Sequence, residues 1–177
     1  MCDRCHELHK RLTTTQDRVL LKHARLLLED HLAGVLSEKK RYWRHIQKAR
    51  QEPTGFMSTI LDGMDTMKSV VPHWSRIPAS FKQAWNMPYH VEGVIKHGHE
   101  PHSSAYVSPP GIKKGGCLAI ETLIRVLIRH KKDHGYLPPV WYIQADNAPS
   151  EFKNSVCLMF LGMLVQLGVF EKVRCIL

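Results

Sequence analysis

The chain has 177 residues, 44% of them hydrophobic and 23% charged, which gives room for one core with an appendage and too little for two full domains. These proportions exclude a disordered or fibrous chain, and no apolar run approaches the 18 or so residues of a membrane span. Twenty-five Lys and Arg against sixteen Asp and Glu leave a net charge of +9, which favours an acidic partner such as nucleic acid.

The charge is uneven. Residues 1–50 hold 12 Lys and Arg against 6 Asp and Glu, so the N-terminal third is the basic part. The segment Met1 to Arg11 is polar and lacks the apolar stretch of a secretory leader. Within it stands Cys2-x-x-Cys5-His6-x-x-His9. Cys-x-x-Cys is a zinc half-site, but four ligands on about one helical turn cannot easily surround an ion tetrahedrally, and no second Cys-x-x-Cys follows. A frayed terminus without zinc at Cys2 and Cys5 is the expectation. The odd set of five cysteines suits a reducing compartment, with Cys117, Cys157 and Cys175 read as small core residues among Leu, Val and Met.

Thr15 to Arg50 contains no Pro and a single Gly, Gly34, and is rich in good helix formers, which predicts one long helix or two. Leu21, Leu28, Leu32, Val35, Tyr42, Ile46 and Ala49 recur at spacings of three and four, with Arg25 and Lys39 at two positions of the seam. The stripe is expected to dock on the chain's own core rather than form a coiled coil, although a homo-oligomer through this helix stays open. Gln51-Glu52-Pro53-Thr54-Gly55 ends the helix and marks a boundary between a basic helical arm (1–50) and a core (54–177).

Beyond the break, short strands are predicted at Phe56–Leu61, Trp85–Lys96 and Ser104–Ser108, the last two joined by a hairpin bearing His97, His99 and His102, read as solvated turn residues. Gly115-Gly116 opens a helix from Cys117 to His134 that carries Leu118, Leu123, Val126, Leu127 and His130 on or near one face and closes at Gly135. Then come a strand at Val140–Ala145, a helix from about Ser150 to Leu167 and a last strand at Lys172–Leu177. The order is βββαβαβ. Three strands in a meander followed by two reached through helical crossovers make a mixed α/β sheet in which the fourth and fifth strands lie parallel to the first.

Two of the strands end in acid, at Asp62 and Asp146. Carboxylates at neighbouring strand ends are the ligands that Mg²⁺ or Mn²⁺ requires for phosphodiester chemistry. Asp146 and Asn147 also suit the start of a turn or the cap of the following helix, and that reading stands beside the metal one.

The element order is that of a ribonuclease H-like core, and the words of the sequence carry a resemblance. Ile60-Leu61-Asp62-Gly63-Met64-Asp65 with Lys68 and Pro72-His73, Gly93-Val94-Ile95-Lys96-His97-Gly98, Leu137-Pro138-Pro139-Val140 before Tyr142-Ile143-Gln144-Ala145-Asp146-Asn147, Glu151-Phe152-Lys153-Asn154 and the Leu164 to Lys172 segment resemble a family of uncharacterised, transposon-derived eukaryotic proteins thought to carry an integrase or DDE-transposase type core. The resemblance runs from about Glu38 to the C-terminus and includes Lys39-Lys40-Arg41-Tyr42. It implies that Asp62 and Asp146 are metal ligands, with Asn147, Glu151 and Asn154 as neighbours and Asp65 and Lys68 within reach of a ligand shell or a phosphate. It implies a DNA partner, and from that a nuclear location is favoured over a cytoplasmic one, with both open; the charge of the basic arm makes Lys39, Lys40, Arg41, Arg44, Lys48 and Arg50 the expected nucleic-acid contacts. The family pattern continues to a His- and acid-bearing segment that looks like the source of a third catalytic carboxylate. This chain stops at Leu177, so an incomplete core with weak or lost cleavage and strand transfer is expected. Glu121 is expected on the exposed face of its helix, not as a substitute acid. The competing expectation is a noncatalytic relict that acts through the basic amphipathic arm on DNA or a protein partner.

Overall fold

The computed structural model describes residues 2–71, 87–98, 102–145 and 152–176. The chain divides into two compact units, Met1–Arg44 and His45–Leu177.

The first unit is helical. Helix α1 (Asp3–Thr14) starts at Cys2, whose sulfur accepts from the Cys5 amide, and ends at Thr15. The expected frayed terminus is therefore an ordered helix with Cys5 and Leu8 buried. Helix α2 (Arg18–Gln51) begins where the Asp17 carboxylate accepts from the amides of Val19 and Leu20, at 2.7 and 3.3 Å, which satisfies two donors that a helix start leaves open. Within the first unit Leu21, Leu28 and Val35 of the α2 stripe are half-buried as the spacing predicts. Ala24 is buried and His31 partly so, while Leu32 is exposed.

The last turns of α2 belong to the second unit, where Ile46 and Ala49 are buried as the spacing predicts. After the break at Glu52, whose carbonyl accepts from the Gly55 and Phe56 amides, strand β1 (Phe56–Gly63) follows. A 3-10 turn (Thr66–Lys68) leads to β2 (Val70–Val71), which the hydrophobic pattern did not signal and which pairs in a small ribbon with β3 (Met87–Pro88), a short piece of the strand predicted from Trp85 to Lys96. Strands β4 (His90–His97) and β5 (His102–Ser108), helix α3 (Gly116–His134), β6 (Val140–Ala145), α4 (Ser155–Gln166) and β7 (Lys172–Ile176) complete the unit.

The main sheet has the order β5-β4-β1-β6-β7. β5, β4 and β1 are antiparallel to one another in turn, and β6 and β7 run parallel to β1. The result is a mixed α/β sheet whose fourth and fifth main strands are parallel to the first, as the element order predicts. α4 starts later than expected, because Asn154 caps it by accepting from the Cys157 amide at 3.0 Å. Gly135, at φ 83°, closes α3 in the left-handed conformation that glycine adopts without penalty.

Strand alternation sorts the two faces of the sheet. Met57, Leu61, Val94, Trp141, Ile143 and Ala145 form one buried cluster with Ala119, Leu123, Val126 and Leu127 of α3 and Cys157, Leu161 and Leu164 of α4. On the opposite face the end of α2 covers the start of β1 and the middle of β6. His45 stacks on Tyr142 with ring centres 3.8 Å apart and planes 8° from parallel, Phe56 lies parallel to the same Tyr at 5.9 Å, and Lys48 sits over Phe56. The C-terminal half of β1 on that face carries Ile60 and Asp62. Among the described residues no helix is long and apolar enough to cross a membrane.

Candidate functional site

Asp62 is exposed near the end of β1, and its cross-strand neighbour on β4 is Gly93. Directly paired residues share one face of the sheet, so the missing side chain at Gly93 leaves open the space beside the Asp62 side chain that a larger residue would fill, and a β-carbon there would meet only the Asp62 backbone carbonyl, at 3.6 Å. The next strand places Ala105 opposite Gly93, another small side chain. The consequence is a cleft of about 620 Å³ whose lining includes Asp62, Asp65, Lys68, Gly93, Ser103 and Ser104. Its far wall is the segment after β1. The Met64 amide donates to the Val91 carbonyl at 2.8 Å, the Lys68 amide to the Asp65 carbonyl at 2.9 Å, and the Ser69 hydroxyl to the Tyr89 carbonyl at 2.6 Å. Lys114 donates to the Met64 carbonyl on the same segment at 3.3 Å.

Three of the residues singled out from the sequence thus share one cleft: Asp62, Asp65 and Lys68. Asn154 does not line it. Its side chain caps α4 and lies against Gly116 at the start of α3, where a β-carbon would meet its amide at 2.9 Å, which is a structural role. Asp146, Asn147 and Glu151 lie outside the described residues, as does His99. Glu121 is exposed and pairs with Arg125 at 2.8 Å, as expected for the outer face of α3. Lys39, Lys40, Arg41 and Arg44 in the first unit, and Lys48 and Arg50 in the second, are all exposed. Lys48 and Arg50 also stand in the last turn of α2, where cations are favoured by the helix dipole.

Sequence expectation is corrected at two other positions. His97, read as a solvated hairpin residue, is buried at the end of β4, and that burial, helped by the charge of Arg50, holds its imidazole below the ordinary value. Cys117, read as a core residue, is exposed in the first turn of α3, whereas Cys157 is buried and Cys175 partly so. Burial raises the Cys157 thiol and pushes that of Cys175 up to about 11. Sequence reasoning also missed Glu92, a buried carboxylate on the α3 side of β4 together with Val94 and Lys96. The signal was available, since a period of two places 92, 94 and 96 on one face.

A second group of chemically capable side chains lies in the first unit. The ligand atoms of Cys2, Cys5 and His31 all fall within 4.8 Å of one another, and the Cys2 sulfur is 3.0 Å from His31 Nε2. The Cys5 amide, with the Cys5 thiol and His31, draws the Cys2 thiol down to about 7, while the Cys5 thiol is raised by its bond to Cys2.

A model of the family described as a domain of unknown function (DUF7869) matches residues 79–176, more than half of the chain. The chain belongs to the DUF7869 family. The matched segment spans β3 to β7 with α3 and α4 and supplies four of the five main strands, while β1 with Asp62 precedes it. A search of curated proteins found no match.

Proposed function

We propose that this DUF7869 chain carries a ribonuclease H-like core of transposase descent that binds nucleic acid and holds Mg²⁺ or Mn²⁺ at the ends of β1 and β6. The observation that carries the reading is one of register. Leu61 and Ala145 are the last pair between the parallel strands β1 and β6, and the residues that follow them in the chain are Asp62 and Asp146. The sheet order supports the topology. A meander of three strands, with the fourth and fifth added beside the first through α3 and α4, is compatible with a ribonuclease H-like core.

The donor chemistry fits a hard cation. Mg²⁺ keeps several waters and needs only one or two carboxylates together with substrate phosphate oxygens, and Asp62 offers an exposed carboxylate beside the gap left by Gly93. Asp62 and Asp146 would hold the ion, which when bound polarises a phosphodiester and stabilises charge on its oxygens. Asp65 and Lys68 line the same cleft and would orient ordered water and a phosphate respectively. The exposed cations of α2 would contact phosphates through charge, positioning the strand without reading its sequence.

A second reading, a noncatalytic nucleic-acid-binding relict, is favoured by the exposure of all six arm cations, which need no metal site to act. One experiment separates the two. Purified protein is assayed for Mg²⁺- and Mn²⁺-dependent cleavage of labelled DNA alongside Asp62→Asn and Asp146→Asn, with binding titrated against salt. Cleavage lost in both variants supports the metal reading. Salt-sensitive binding with no cleavage leaves the noncatalytic one, and salt-insensitive binding or none removes nucleic acid from both.

A further inference from the structure

We propose that Cys2, Cys5 and His31 form a zinc site that staples the N-terminal end of α1 to the middle of α2, with water at the fourth position.

The geometry follows from helix lengths. Three residues, Thr15 to Asp17, separate α1 from α2. A 12-residue helix is about 18 Å long, and His31 lies about 20 Å along α2 from Arg18, so a helix folded back on its neighbour by a short turn brings Cys2 level with His31. The observed Cys2 Sγ to His31 Nε2 separation of 3.0 Å agrees with this. Cys5, one turn further along α1, adds the second sulfur.

The donor set selects the metal. Two thiolates and an imidazole are soft and borderline ligands that suit zinc rather than Mg²⁺ or Ca²⁺. Zn–S bonds of about 2.3 Å in a tetrahedron hold two sulfurs about 3.8 Å apart, and a sulfur and an imidazole nitrogen about 3.5 Å apart. Ligand atoms that all lie within 4.8 Å need only shifts of an ångström or less to meet those spacings. His6 and His9, the partners the sequence suggests, are exposed and do not join the cluster. His31 comes from the second helix and removes the crowding of four ligands on one turn.

The first unit has reason to need such a staple. Among its described residues only Cys5, Leu8 and Ala24 are buried hydrophobics, whereas Val19, Leu20, Leu26 and Leu36 are exposed. A helical pair with so small a core gains much of its order from a cross-link, and metal binding supplies folding energy directly.

The test uses the full 177-residue protein, purified under reducing conditions and dialysed into metal-free buffer. Elemental analysis is expected to find one zinc per chain. Co²⁺ added to chelator-stripped protein is expected to produce tetrahedral d–d bands with thiolate-to-cobalt charge transfer, saturating at one equivalent. Cys2→Ser, Cys5→Ser and His31→Ala each weaken binding at least tenfold, while His6→Ala and His9→Ala leave it unchanged. His31→Cys, which restores a soft ligand, retains the metal and guards against misfolding as the cause of loss. Stoichiometric zinc missing from the wild type, zinc held in His31→Ala but lost on removing His6 and His9, or no metal in His31→Cys would each overturn the site.

Discussion

The buried indole of Trp141 on β6 donates a hydrogen bond to the hydroxyl of Thr59 on β1 at 3.0 Å, across the parallel seam that joins the meander to the crossover strands. Both residues are fully buried, so neither group has water as an alternative partner. Thr59→Val keeps the shape and removes the acceptor, which leaves the indole N–H unsatisfied and costs about 1–3 kcal/mol. Chemical denaturation with tryptophan fluorescence measures the loss. The double variant Thr59→Val, Trp141→Phe removes both polar groups and is expected to be more stable than the sum of the two single variants implies.

Gly93 provides a test of the cleft that leaves Asp62 intact. Its backbone is ordinary strand and its missing β-carbon would make only van der Waals contact with the Asp62 carbonyl, so Gly93→Val is expected to keep or raise the melting temperature, since glycine within a strand is itself unfavourable. The added branches occupy the space beside the carboxylate. Mn²⁺ affinity is expected to fall about tenfold, equivalent to about 1.4 kcal/mol, as read by isothermal titration.

The cysteines should separate by reactivity. The thiolate is the nucleophile, so in metal-free, reduced protein Cys2, drawn down to about 7, is alkylated ahead of Cys157, raised by burial, and Cys175, pushed up to about 11. Mass spectrometry after timed iodoacetamide treatment reads the order. The Cys2 rate is expected to rise through a midpoint near pH 7, and one equivalent of zinc to suppress it.

His97 makes stability fall on the acid side. Its folded pKa lies below the ordinary value near 6.5, so in the window between the two the unfolded chain binds the extra proton. The contribution is complete above the unfolded value and is lost as pH falls through the folded one. Urea midpoints measured from pH 7.5 to 5 should decline more steeply for the wild type than for His97→Gln, which has no proton to gain.

Much of the second unit was legible because its signals are local. Gly135 after an apolar 3.6-period helix, Pro138-Pro139 before Val140, and the short, largely apolar runs of β1 and β6 each name an element without tertiary help. His97 was misread because its neighbours Gly98 and Pro101 signal a turn, whereas burial came from packing that no local pattern states. β2 and its pairing with β3 were hidden for the same reason, as a two-residue strand carries no period. In the candidate site, Asp62 was legible from its place at a strand end. The role of Gly93 required the β1–β4 register, and His31 could join Cys2 and Cys5 only once the lengths of α1 and the turn after it were known.

The most direct test of the proposed metal site at Asp62 is paramagnetic broadening by Mn²⁺ in the nuclear magnetic resonance spectrum of the protein. Broadening centred on the amides of Asp62, Gly63 and Gly93, and absent in Asp62→Asn, is the expected result. Broadening that spares β1, or that persists unchanged in Asp62→Asn, would contradict it.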